Sequence, residues 1–388
     1  MAAQESAGAP IRRERLLKTL NHTEPDRVPI DIGSIGGGIT NVAYYNLKDL
    51  LGIEGDEGTS IKANLTVEEF DERVLAALDV DIRHIGLRGP SRRTARVQLP
   101  DGSSADEWGI VSRQVGHYNQ IVANPLRNAS LSEIESYRGP DPGDPGRIQG
   151  LKERARRLTD ETDFGLSAKS VSGGIFQSCC RLRGMEQFLM DMILNKPLAK
   201  ALMSRVEQIV LDLEEALLGE IGPYVQMAET QDDLGTQHAP MISPAMYREF
   251  IQPSHARLAA LIKKKTGGGA KVFMHSDGSI FDMLPDVIDA GIEVINPVQP
   301  QAAKMDAVAL KEKFGNRLVF HGGLDQQHTI PHGTVADAEN EVKRVLRALA
   351  KGGGYIFSPC HNLQPDVPPE NILAIYRTAA QFGRYPIG

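Results

Sequence analysis

The stretch "AKVFMHSDGSIFDMLPDVIDAGIEVINPVQP", residues 270–300, holds one full turn of a repeating design. An apolar run (270–276) ends in a polar turn. A helical pattern (280–290) follows, then a second apolar run (292–298). Short Val-, Ile- and Phe-rich runs joined by amphipathic helices are βα units, which build parallel sheets covered by helices. Working outward, the same unit recurs on both sides. Downstream, "DAVALKEKF" leads to a strand at 317–323, and "TVADAENEVKRVLRALA" leads to one at 354–359. Upstream, strands are expected at 224–230, 164–170, 81–89 and 28–33. Eight such units predict a closed (β/α)₈ TIM barrel, read as one domain over 1–388. An open doubly wound sheet is the alternative, but no G-x-G-x-x-G opens a helix after a strand.

Three parts stand outside the repeat. An N-terminal extension runs through the helical "RRERLLKTLNH". Two alternating runs flank "PDGSS" and predict a β-hairpin insertion at about 94–118, with the only Trp, Trp108, on its return arm. The segment "RGPDPGDPGR" (138–147) is a loop by composition.

Composition narrows the functional classes. A net charge of -7 and the lack of a dense Lys/Arg stripe exclude a nucleic-acid footprint. No run has the length of a signal-peptide core or a membrane span, so no membrane association is expected. Three cysteines in 388 residues cannot form a secreted disulfide framework, which points to a cytoplasmic protein. A homodimer is the default assembly for such barrels.

In a (β/α)₈ barrel the chemistry sits at the C-terminal ends of the strands. Those ends carry Asp31; Arg83 and His84; Lys169 and Ser170; "ETQDD" with Glu229, Asp232 and Asp233; "HSDG" with His275 and Asp277; Asn296 and Gln299; His321 and Asp325; and finally "FSPCHN" with Cys360 and His361. Alone, Cys360 reads as a small buried apolar side chain. Together with His275 it reads as half of a soft site suited to Zn²⁺, with Glu229 or Asp277 as third ligand. One of Asp232 and Asp233 is expected to cap a helix. Cys179 and Cys180 read as packing residues. The glycines of "SIGGGI" are read as serving tight turns.

The motifs "RERLLKTLNHTEPDRVPID", "ETQDDLGTQ", "FMHSDGSIFDMLPDVIDAGIEVINPVQP", "FHGGLDQQ" and "GGGYIFSPCHNLQPDVPPENILAIY" resemble the uroporphyrinogen decarboxylase superfamily. They look most like its corrinoid-dependent methyltransferase branch. The resemblance implies a TIM barrel and two rival chemistries. For decarboxylation it matches the essential aspartate to Asp81 in "VDIRHI" and a C-terminal histidine to His361. The "RQAGR" segment that helps bind a polycarboxylate tetrapyrrole is replaced by "IDIGSIGGGITN". For methyl transfer it implies zinc held by His-x-Cys and a late Cys. This chain keeps His275 and Cys360 but has Asp277 where the first cysteine would stand. The expected function is metal-assisted methyl transfer from a small methylated substrate to a corrinoid supplied by a partner protein, or to another acceptor. Metal ligands would be His275, Cys360 and Glu229, with Asp277 beside them; Ser170, Asp232, Asp233, Gln299, His321 and Asp325 would line the substrate site. The alternative is a cofactor-free decarboxylase using Asp81 and His361.

Overall fold

The computed structural model describes residues 12–388 apart from 63, 64, 93 and 117. Its centre is a parallel sheet of seven strands taken in chain order. These are β1 (Ile82–Ile85), β2 (Gly165–Ala168), β3 (Met227–Gln231), β4 (Lys271–His275), β5 (Val294–Asn296), β6 (Val319–His321) and β7 (Tyr355–Ile356). Segment 28–32 closes the ring between β7 and β1. Phe357 N–H donates to the Pro29 carbonyl and Asp31 N–H to the Phe357 carbonyl, both at 2.8 Å. On the other side Asp81 N–H donates to the Ile30 carbonyl at 2.8 Å. The eighth staff of the barrel is therefore present at 28–33, as the sequence predicts, but irregular. Pro29 has no N–H to give, and the Ile30 N–H goes to the Asp81 carboxylate at 2.7 Å instead of to a neighbouring strand.

Alternation along the strands sorts the barrel interior into layers. The lower layer is apolar: Ile82, Met227, Phe273, Val294, Val319 and Ile356 cluster with Leu16 and Leu20. The last two come from the helix Arg12–Leu20, so the N-terminal extension plugs the bottom of the barrel. Gly165 makes room for it, since a Cβ there would lie 2.5 Å from Leu16 Cδ2. Burying each such leucine contributes about 1.5–3 kcal/mol. Outside, the covering helices are held by one continuous core. The helix Val335–Leu349 shows why: Ala338, Val342, Val345, Leu346 and Leu349 recur at helical spacing and are buried, and Thr334 with Asp337 forms a capping box at its start.

The predicted hairpin exists as Arg96–Gln98 paired with Ser104–Asp106, and it continues into Val111–Val115 and Tyr118–Ala123 as a four-stranded antiparallel sheet. Trp108 lies in the turn after Ser104–Asp106 rather than on a strand, packed on the main core. Among the described residues no helix is long and apolar enough to cross a membrane.

Candidate active site at the barrel mouth

Two residues beyond the apolar layer, nearly every strand turns a polar side chain inward. His84, Ser167, Glu229, His275, Asn296 and His321 occupy this layer with Asp31, and all are buried. They form one hydrogen-bonded chain. Ser167 Oγ donates to Glu229 Oε1 at 2.8 Å, and His84 Nδ1 meets the same oxygen at 2.7 Å. His84 Nε2 meets Asp31 Oδ1 at 2.8 Å, and His321 Nε2 meets Asp31 Oδ2 at 2.9 Å. Burial disfavours the His84 cation, but Asp31 and Glu229 outweigh it and raise its pKa to about 9. Burial likewise opposes the Asp31 carboxylate, yet His84 and His321 hold its pKa well below the usual range. His84 is thus an imidazolium bridging two carboxylates.

The chain then sets a tautomer. The amide nitrogen of Asn296 donates to the His321 carbonyl at 3.3 Å and to His321 Nδ1 at 2.9 Å. A carbonyl only accepts, so the amide oxygen must face His275, whose Nδ1 lies 2.5 Å away and donates to it. His275 Nε2 is left with a free lone pair facing the barrel mouth. There it lies 3.7 Å from Asp277 Oδ2 and 3.9 Å from Asp233 Oδ1. His361 Nε2 is 3.8 Å from the same Asp277 oxygen. Desolvation by the protein atoms around the mouth lowers the His361 pKa, with Asp277 opposing and His275 reinforcing, which favours its neutral, ligating form.

His275, Asp277 and His361 each offer a donor atom within 4.8 Å of the other two. Ligand atoms bound to one zinc at about 2.0–2.1 Å sit a little over 3 Å apart, so these three fit a divalent ion after small rotations. Asp277 and His361 have the freedom to rotate, because their side chains are 37% and 47% exposed. The expected ligand set changes in two places. Cys360 is buried and its Sγ points at the Val298 carbonyl, 3.7 Å away, with burial raising the thiol pKa far above normal. Glu229 is spent on His84, Ser167 and the Ile35 N–H (2.9 Å). His361, not Cys360, completes the cluster.

Other expected residues divide between mouth and scaffold. Asp233 is at the mouth, accepting the Asp277 N–H at 3.0 Å. Gln299 steadies the same turn by accepting the Gly278 N–H at 2.8 Å. Asp232 caps the helix Ile175–Arg183: it accepts the N–H groups of Ile175, Phe176 and Gln177 and bonds His255 Nε2 at 2.8 Å. Asp325 accepts the N–H groups of Gln327 and His328 and so shapes its own loop. Ser170 donates to the Ser172 carbonyl at 2.9 Å. His321 belongs to the buried chain. Asp81 lies before β1, at the opposite end of the barrel, where it is fully buried between Arg15 and Arg27.

The segment "SIGGGI" is laid directly over the polar layer. A Cβ on Gly36 would lie 2.3 Å from His275 Nδ1, and one on Gly37 would lie 2.3 Å from Ser358 Oγ. These glycines serve close approach, where turns alone were expected. The rim is legible in the sequence, whereas the hydrogen-bonded chain beneath it is not obvious there. Its signal was present as a two-residue offset, apolar then polar, in I-x-H (82–84), M-x-E (227–229), F-x-H (273–275), V-x-N (294–296) and V-x-H (319–321).

Comparison with known proteins agrees with this architecture. The family model "Uroporphyrinogen decarboxylase (URO-D)" matches residues 116–382. A uroporphyrinogen decarboxylase of Trichlorobacter lovleyi is 24% identical over 258 residues, covering 65% of this chain and 69% of that one. One from Pseudomonas fluorescens is 22% identical over 269 residues, covering 66% of this chain and 70% of that protein. Among solved structures, a methyltransferase from Methanosarcina mazei superposes with a TM-score of 0.63 at 17% identity, over 96% of this chain and 99% of the other. With the family model spanning well over half of its length and the barrel closed as that family requires, the chain belongs to the uroporphyrinogen decarboxylase family.

Proposed function

We propose that the protein is a methyltransferase acting on a small methylated molecule at the barrel mouth, above His275, Asp277 and His361. Kinship does not choose the reaction, because the curated relatives are decarboxylases and the structural neighbour is a methyltransferase. The site supports methyl transfer. The residue matched to the decarboxylase aspartate, Asp81, is buried at the far end of the barrel, while a His-Asp-His cluster with a pre-set His275 lone pair lies at the reactive end.

In this reading His275, Asp277 and His361 would hold a divalent metal such as zinc. A metal held there supplies Lewis-acid polarisation of a substrate oxygen or sulfur. Asn296 keeps the His275 lone pair outward. Asp233 and Gln299 fix the backbone of the turn that carries Asp277. The Gly36–Gly38 loop excludes water from the layer beneath, where His84, Asp31 and Glu229 hold one positive and two negative charges in place. The methyl acceptor would be a reduced corrinoid carried by a separate cytoplasmic protein, since the chain lacks a D-x-H-x-x-G corrinoid motif.

The test is incubation of the purified protein with methoxylated, methylthio and methylamine compounds and cob(I)alamin, followed by absorbance. Methylcobalamin formation with one class supports the reading. Release of CO₂ from a candidate acid, with no methylcobalamin from any class, overturns it.

A further inference from the structure

Beside the mouth, at the C-terminal ends of β1 and β2, runs a cleft that the reaction proposed above leaves unused. It consists of two adjoining cavities of about 380 and 480 Å³, which share Glu68, Arg88 and Lys169 on their walls. That is the volume range of small-molecule sites. One end reaches Ile35, Gly38 and Asn362, so the cleft runs up to the glycine loop whose Gly36 lies against His275, and to the chain neighbour of His361. The other end is bounded by Arg154 and Arg157.

The charges in this cleft do not balance. Arg154 is paired with Glu69 at 2.6 Å, and Arg147 is paired with Glu107. Lys62, Arg88 and Arg157 form no ion pair among the described residues, and Lys169 donates only to the Glu68 carbonyl, at 2.8 Å. Among the described residues, four cations therefore face one carboxylate that lacks an ion-pair partner, Glu68. Like charges crowded on a concave wall repel one another and are stabilised by a counter-charge. Burial and then Lys62 lower the Lys169 pKa to about 8, against Glu69, Glu229 and Glu68, which raise it.

We propose that this cleft binds the carboxylate or phosphate group of a small molecule, through Lys62, Arg88 and Lys169, and so orients its other end toward His275 and His361. The orientation, though not the anion site itself, rests on the methyltransferase reading of the mouth. Lysines act here as point charges, while the Arg88 guanidinium can grip two oxygens at once. The substrate class is then a methylated acid or phosphate ester rather than a neutral methyl ether or amine.

The experiment is calorimetric titration of the full-length protein with citrate and, separately, with inorganic phosphate, at low and high salt. Binding of either is expected, weakened by salt. Citrate alone identifies a carboxylate site, and phosphate alone a phosphate site. Arg88→Gln and Lys62→Gln, both at solvent-accessible positions, are each expected to weaken binding about tenfold. Lys264→Gln, on a distant exposed helix face, is expected to leave it unchanged. No binding of either anion, or equal binding in wild type and all three variants, overturns the site. The readout needs no turnover, so failure of the methyl-transfer assay overturns the reaction without touching this result.

Discussion

Asn296 Oδ1 lies 2.5 Å from His275 Nδ1, and this contact decides which nitrogen of His275 meets the barrel mouth. Metal-binding histidines depend on such a partner for tautomer and ring orientation, and losing it costs about 10–100-fold in metal affinity. Asn296→Leu is therefore expected to weaken zinc binding by at least about tenfold while the barrel stays folded. Zinc titration of variant and wild type measures this, with circular dichroism to check the fold. Equal affinity would show that Asn296 does not position His275.

The same logic separates two adjacent residues. Cys360→Ala should leave the bound-metal stoichiometry unchanged, because its thiol faces the Val298 carbonyl. His361→Ala should lower it. Metal analysis of the purified variants decides the matter, and the reverse outcome would restore the cysteine-containing ligand set.

Gly36 has no room for a side chain. With a Cβ 2.3 Å from His275 Nδ1 and 2.7 Å from Asn296 Oδ1, Gly36→Ala must push the loop off the polar layer. Overpacking of this kind costs about 1–3 kcal/mol, read as a lower urea midpoint. An unchanged midpoint with intact metal binding would mean that the loop does not press on the ring.

Asp81 is predicted to matter for stability alone. Its carboxylate accepts from Arg27 Nη1 at 2.8 Å and from the Ile30 N–H at 2.7 Å, and pairs with Arg15 as well. Removing it leaves Arg15 with only Asp26 and Arg27 with only Asp79 as carboxylate partners, a loss of about 1–3 kcal/mol. Asp81→Ala should unfold at much lower urea but keep its turnover per folded molecule. Lost turnover with an unchanged midpoint would return Asp81 to the chemistry.

Stability should also depend on pH through His84. Its folded pKa of about 9 lies above the ordinary 6.5. The folded state therefore holds this proton more tightly than the unfolded chain does. The stabilisation is complete below the ordinary value and is lost as pH rises through about 9. A melting temperature that falls between neutral pH and pH 9, with the fall reduced in His84→Gln, is the expected result. Identical pH profiles would mean that His84 is not the proton carrier.

Much of this was readable in the sequence because a parallel barrel strand is a short apolar run between helices, as at 270–276 and 292–298. The first strand was readable too, although Pro29 and the Asp81 carboxylate keep it irregular. The site was harder. Where strands end, the alternation of faces breaks, and neighbours part company. Cys360 turns inward to a carbonyl while His361 turns to the mouth. Asp232 caps a helix while Asp233 faces His275. Asp81 opens the strand expected at 81–89, so its place away from the mouth was legible, and only the short motif match pointed to chemistry there. The cation-rich cleft joins Lys62, Arg88 and Lys169 from three separate segments, which only the closed barrel brings together.

Methyl transfer at the mouth is measured by methylcobalamin formation from methylated substrates and cob(I)alamin. Wild type and Asp81→Ala, assayed below its unfolding transition, should both form it. His275→Ala and His361→Ala should not. CO₂ release from an acid substrate that persists in His275→Ala and disappears in Asp81→Ala would make the protein a decarboxylase instead.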